Sequence, residues 1–116
     1  MSYIEGFVFP VPTENKERYL KHARDCVPIF KKYGALRLVE NWGVSISQDG
    51  DTSFSKAVKK QPHETVMFSW VVWPSKEVRD EGMEKLFKDP FFAEGYDLPF
   101  DEKRMIYGGF ETILDE

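Results

Sequence analysis

Nine residues constrain this chain more than any others: Thr65–Trp73, read as TVMFSWVVW and closed by Pro74-Ser75. The run is nearly all β-branched or aromatic, the side chains that suit a pleated surface. A membrane helix needs about 20 apolar residues, so the run is too short to span a bilayer. Side chains alternate along a strand, and here both alternating sets are apolar. Val66, Phe68, Trp70 and Val72 take one face, while Met67, Val71 and Trp73 take the other with Ser69 as the polar member. A strand of this kind belongs in the middle of a sheet that is covered on both sides.

The rest of the chain can be placed around it. Tyr3–Val11 reads as a first strand ended by Pro10 and Pro12, since proline cannot donate to a ladder. Thr13 offers an N-cap, and Glu14 and Glu17 suit the positive end of a helix. Tyr19, Ala23, Cys26, Val27 and Phe30 then fall on one helical arc, and Tyr33-Gly34 closes the helix. Pro28 lies inside this helix and has no N–H for the Arg24 carbonyl, which predicts an interruption near Arg24–Cys26. Leu36–Val44 is a second strand. The polar connection Ser45–His63 follows, with a turn at Asp49-Gly50-Asp51 and a short helical turn over Ser53–Lys60 that pairs Phe54 with Val58. So long a connection in a compact domain is more often a lid or a dimer arm than a plain turn. After the central strand, Ser75 caps a second helix over Lys76–Lys88, ended by Asp89-Pro90. Phe91–Lys103 is an irregular aromatic segment, and Arg104–Leu114 is a fourth strand. Gly108-Gly109 there signals a bulge or a close backbone approach.

The order is βαββαβ in one α+β domain over residues 1–116. Right-handed crossovers put both helices on one face of a four-stranded antiparallel sheet, with the first and third strands central. This is the ferredoxin-like arrangement. The face left bare measures on the order of 400–500 Å² in projection, from strand spacing and length. Monomers rarely leave an apolar patch above roughly 300–600 Å². A second copy packed sheet to sheet is the simplest cover, so a homodimer is expected.

Several stretches resemble one family. Gly6–Pro12 (GFVFPVP), Gly34–Glu40 (GALRLVE), Thr65–Trp70 (TVMFSW), Pro74–Asp80 (PSKEVRD) and Leu98–Glu111 (LPFDEKRMIYGGFE) are similar to the YbaA-like family, a domain of unknown function within the dimeric α/β-barrel superfamily. Val44–Thr52 (VSISQDGDT) departs from the acidic, proline-containing turn expected there. The resemblance implies a homodimeric barrel and supplies no activity. Other members of the superfamily include cofactor-free monooxygenases, lactone isomerases and haem enzymes, so the fold alone does not choose a chemistry.

Two charged residues stand where the pattern calls for apolar ones. Arg79 lies in the apolar arc of the second helix among Val78, Gly82, Met83 and Leu86, and Glu40 shares a strand face with Leu36, Leu38 and Trp42. A buried guanidinium needs a carboxylate or an anionic ligand. An Arg79–Glu40 ion pair accounts for both residues without catalysis. Alternatively Glu40, its pKa raised by burial, acts as a general base. Arg104 and Tyr107 in the last motif, with Trp42 and Trp70, are the further candidates to line a ligand pocket. Aromatic residues on a sheet are usually core. His22 and Cys26 stand one helical turn apart, as a nucleophilic pair would, yet a buried cysteine acting as a small hydrophobe is the commoner case. His63, beside Pro62 in a polar loop, is expected to be exposed.

Composition excludes several classes. The net charge of −4 lacks the basic surface that nucleic acid requires. One cysteine allows no internal disulfide and suits a reducing compartment. The start MSYIEGF has no basic segment leading into an apolar core, so a cytoplasmic protein without a secretion signal is expected. Two distant histidines give no metal spacing, no cofactor is implied, and no glycine-rich loop prepares a phosphate site. The βαββαβ order also builds RNA-recognition domains, but their aromatic RNP strand is missing here. The leading reading is a homodimer that binds a small apolar or weakly anionic molecule between helices and sheet. The alternative is a cofactor-free monooxygenase or isomerase working at Glu40, Arg79 and Tyr107.

Overall fold

The structure is a computed structural model, and it describes residues 2–93 and 95–116. Among the described residues four strands and three α-helices alternate as β1 (Tyr3–Pro12), α1 (Lys16–Lys32), β2 (Arg37–Trp42), α2 (Phe54–Ala57), β3 (Glu64–Trp73), α3 (Lys76–Leu86) and β4 (Ile106–Glu111). The strands form one antiparallel sheet in the order β2-β3-β1-β4. The apolar run of residues 65–73 therefore lies in a central strand, paired on both sides. Among the described residues no helix is long and apolar enough to cross a membrane.

Register decides which side chains share a face. Tyr3, Glu5, Phe7, Phe9 and Val11 of β1 stand beside Trp73, Val71, Ser69, Met67 and Thr65 of β3. Leu38, Glu40 and Trp42 of β2 continue this face on one side, and Tyr107 and Gly109 of β4 on the other. The long helices lie here: Tyr19 and Ala23 of α1 pack on Phe9, Val11 and Met67, and Val78 and Met83 of α3 pack around Trp73 and Val71. Trp73 is fully buried. Its ring fits because residue 82 is glycine: a Cβ there would stand 2.5 Å from the Tyr33 carbonyl oxygen and 2.6 Å from the Trp73 ring. Alanine normally stabilises a helix by about 1 kcal/mol over glycine. Gly82→Ala is expected to do the reverse and cost about 2 kcal/mol in denaturant unfolding, because neither backbone nor buried indole can yield. A neutral or stabilising effect would refute this packing.

Several local expectations change. Thr13 does not cap α1; its hydroxyl bonds the Thr65 hydroxyl at 2.7 Å, and the first turn, Thr13–Asn15, is a 3-10 turn. The expected interruption at Pro28 is absent, since α1 runs as one α-helix from Lys16 to Lys32. Pro28 is exposed. One lost hydrogen bond on the outer side of the helix is outweighed by the packing of Tyr19, Ala23 and Cys26 beneath it. β2 and β4 are shorter than their sequence patterns suggest, and Arg104 sits in a 3-10 turn before β4. Gly108-Gly109 forms no bulge: both stay in register with Gly6 and Glu5. They serve close approach instead, with the Phe110 ring over Gly6 and Gly108 and the Tyr3 ring against Gly109. Ser75 caps α3 as expected, accepting from the Val78 N–H at 3.2 Å.

Candidate functional site

The sequence candidates do not converge on one pocket. They are scattered over the sheet and the turns beside it. Arg79 does not meet Glu40, because Glu40 lies on edge strand β2 under α1 while α3 carries Arg79 to the β1 side. The partner is Glu5, whose carboxylate accepts from Arg79 Nε at 2.8 Å and Nη2 at 2.5 Å. Arg79 also bonds Asp80 and stacks 5.3 Å from the Tyr3 ring centroid. Glu5 was legible in principle, since it alternates with Tyr3, Phe7, Phe9 and Val11 on the packed face of β1 and is itself buried.

Arg104 is bound up in structure as well. Its guanidinium grips the buried Glu64 carboxylate with two bonds of 2.7 and 2.6 Å, and also reaches Asp101 and the Lys59 carbonyl. Bonding to Arg104, ahead of all other causes, holds the Glu64 carboxyl below the usual carboxylate range. The pair ties the end of the 43–63 connection to the turn before β4. Tyr107 is exposed at the β4 edge, touching Phe7 at a ring separation of 6.3 Å.

Glu40 heads a polar cluster under α1. The Tyr19 hydroxyl donates to Glu40 Oε1 at 2.7 Å, and buried Ser69 is the cross-strand neighbour of Glu40. Burial is the main cause that raises the Glu40 carboxyl pKa, partly offset by hydrogen bonds from Tyr19 and Ser69. His22 bonds the Tyr96 hydroxyl at 2.7 Å through Nδ1 and approaches Cys26 Sγ at 3.6 Å through Nε2. Burial lowers the His22 pKa and pushes the Cys26 thiol up to about 12. A neutral imidazole beside a protonated thiol is not an activated nucleophile. Cys26 is a packed core residue, and His63 is exposed.

Among the described residues the other face of the sheet carries no long helix. Its side chains form a grid of three rows: Arg37, Val72, Ile4 and Phe110; then Val39, Trp70, Gly6 and Gly108; then Asn41, Phe68, Val8 and Ile106. Apart from Arg37 and Asn41 these residues are apolar or glycine. Phe68, Ile106 and Phe110 are 44%, 46% and 61% exposed. Beyond the third row the 43–58 connection folds onto the sheet. Ser53 caps α2, Val58 is buried, and the Phe54 ring stacks on Phe68, which in turn meets Trp70 edge-on. Between connection and sheet lies a cleft of about 220 Å³ lined by Trp42, Val44, Ile46, Phe54, Val66 and Phe68, with Asn41 at its polar side. Lys16 stacks on the Trp42 ring at 5.3 Å. Of the sequence candidates, Trp42 lines this cleft and Trp70 stands beside it. Phe54, Val66 and Phe68 were not among the candidates, although the apolar pair in a polar connection marked Phe54.

Relatives agree over the full length but bring no activity. The chain is 49% identical over 117 residues to the "Uncharacterized protein YbaA" of Escherichia coli K12, of Escherichia coli O157:H7 and of Shigella flexneri, covering 100% of each chain. Residues 2–102 match the model of a family described as "Protein of unknown function (DUF1428)", and to that family this chain belongs.

Proposed function

We propose that the chain works in the cytoplasm as a homodimer closed sheet to sheet, with one domain over residues 1–116 in each copy. We further propose that each copy binds a small apolar molecule in the cleft between β2 and the 43–58 connection. The observation that carries this reading is the uncovered apolar face with a cleft set into it. The strand order β2-β3-β1-β4 supports a ferredoxin-like chain, and through it the dimeric α/β barrel. The rings of Phe54 and Phe68, with Val44, Ile46 and Val66 around them, suit an apolar body.

Anilinonaphthalene sulfonate, an apolar probe with one negative charge, tests the site. It is expected to bind one site per copy and to raise the melting temperature. Phe54→Ala should weaken that binding about tenfold, by removing one wall of buried aromatic surface. Binding that Phe54→Ala leaves unchanged would sink the assignment.

One observation favours a second reading. The raised Glu40 carboxyl, bonded to the Tyr19 phenol, is the pair an isomerase or cofactor-free monooxygenase needs for proton transfer. Turnover of an enolisable lactone or a quinol that survives in Glu40→Gln would remove it.

A further inference from the structure

We infer that the cavity between α1 and residues 96–99 binds a small zwitterion of amino-acid size, its carboxylate on Arg18 and Tyr96 and its ammonium on Asp97. The site shares no lining residue with the apolar cleft and needs no second copy.

Four residues of α1 make one bank of the cavity. Arg18, Lys21, His22 and Asp25 stand at i, i+3, i+4 and i+7, so a single stripe of the helix carries them. Tyr96, Asp97 and Pro99 make the other bank. Three contacts fix that bank in place. The Asn15 side-chain amide donates to the Pro99 carbonyl at 3.2 Å, the Phe100 ring packs on Phe9 and Tyr19, and the Tyr96 hydroxyl meets His22 Nδ1 at 2.7 Å. Between the banks lies a volume of about 180 Å³. Sites for drug-sized ligands hold roughly 300–1,000 Å³, so this one takes a smaller molecule.

His22 decides what Tyr96 offers. The Cys26 thiol, its pKa pushed up to about 12 chiefly by burial, keeps its proton and presents it to His22 Nε2, 3.6 Å away. Nε2 therefore accepts, the ring proton sits on Nδ1, and Nδ1–H donates to the Tyr96 oxygen. That leaves the Tyr96 O–H to donate into the cavity it lines.

The charges beside it are paired but exchangeable. Arg18 Nη2 meets Asp97 at 2.6 Å with the two side chains 49% and 89% exposed, and Lys21 meets Asp25 at 2.9 Å on the far rim. Ion pairs this exposed contribute little to stability, so the Arg18–Asp97 pair opens at small cost. A molecule carrying both charges can enter that pair and leave no charge alone. Its carboxylate takes the Arg18 guanidinium and the Tyr96 O–H, and its ammonium takes Asp97. A simple anion would strand Asp97, and a simple cation would strand Arg18. Arg18 and Lys21 balance Asp25 and Asp97 in the lining, so the local field favours neither ion.

L-Alanine is the probe, with propionate and ethylamine as its two halves. The chain has two histidines, so the His22 ring-proton signals are those that persist in His63→Gln. L-Alanine at millimolar concentration is expected to move them. Propionate and ethylamine, each lacking one charged contact, should bind at least about tenfold more weakly. Tyr96→Phe should weaken L-alanine about fivefold by removing one donor. Asp97→Asn should reverse the preference, weakening L-alanine about tenfold and tightening propionate, because Arg18 is released. A purely structural role for Asp97 would not produce that reversal. Propionate binding as tightly as L-alanine to the unaltered chain would make the cavity a plain anion site and overturn the proposal. His22 signals that L-alanine leaves unmoved would overturn it equally.

Discussion

Phe68→Glu is expected to leave a folded monomer where the unaltered chain is proposed to be a dimer. Phe68 is the most exposed of the central-strand residues on the open face, so its replacement disturbs a single copy little beyond the lost Phe54 and Trp70 stacking. In the dimer the same side chain would be buried. A standard interface removes about 1,600 Å² in total, of which roughly two thirds would be apolar on this face, worth about 25 kcal/mol gross. Association itself costs about 4–15 kcal/mol, and side-chain ordering takes more. The surplus is small enough for one charge to reverse it. An unpaired carboxylate costs several kcal/mol to bury, and the twofold axis imposes that cost twice. A loss of about 6 kcal/mol corresponds to more than a 10,000-fold weaker dimer. Light scattering at micromolar concentration should read twice the 13.6 kDa chain mass for the unaltered protein and the single mass for Phe68→Glu. Circular dichroism should be nearly the same for both. A dimeric Phe68→Glu would place the interface elsewhere.

The sheet was legible because its constraints are local. A run with both alternating sets apolar has one low-energy place, the middle of a covered sheet, and β3 occupies it. The two long helices were legible from a 3.6-residue arc and a serine cap. Strand ends were not, because alternation continues into Leu114 and Val44, which carry no partner strand and stand exposed. Pro28 misled for a related reason: the rule counts one broken bond, while the packed face of α1 holds the helix over many.

Charged residues show the limit more sharply. Strand alternation placed Glu40, and the helical arc placed Arg79, on packed faces, and both lie partly buried there. Which carboxylate meets which guanidinium depends on which strand a helix crosses, and pattern does not carry that. β1 contributes Glu5 on the same face as Phe7 and Phe9, so the nearer acid takes the Arg79 guanidinium. Tyr19, a core aromatic by its arc, became the partner of Glu40 because α1 crosses β2. The cleft was hidden for another reason. It is made by a polar connection folding onto the sheet, and polar segments carry no periodicity to read.

Arg79→Ala is expected to destabilise the fold by about 2–4 kcal/mol without touching ligand binding. The Glu5 side chain is 3% exposed, and Arg79 brings it two charge-assisted contacts from one side of α3. Removing one partner of a buried pair costs about 3–5 kcal/mol, because a charge is left without compensation. Arg79 itself is 22% exposed, so water entering the vacated space relieves part of that cost, and the lower range applies. The lost stacking on Tyr3 adds to the cost. Arg79→Lys should recover a fraction of it, since an ammonium keeps the charge but not the fork geometry. Removing both charges tests the cause: Glu5→Leu with Arg79→Met should lie close to the unaltered protein, since an apolar pair of similar volume leaves nothing unpaired. Urea unfolding with an unchanged slope reads all four chains, and at about 1.5 kcal/mol/M the single alanine should move the midpoint by about 2 M. Anilinonaphthalene sulfonate affinity should not change, because Arg79 lies across the sheet from the cleft. An Arg79→Ala cost under about 1 kcal/mol would make the pair a surface one, and a lost probe site would return Arg79 to the ligand.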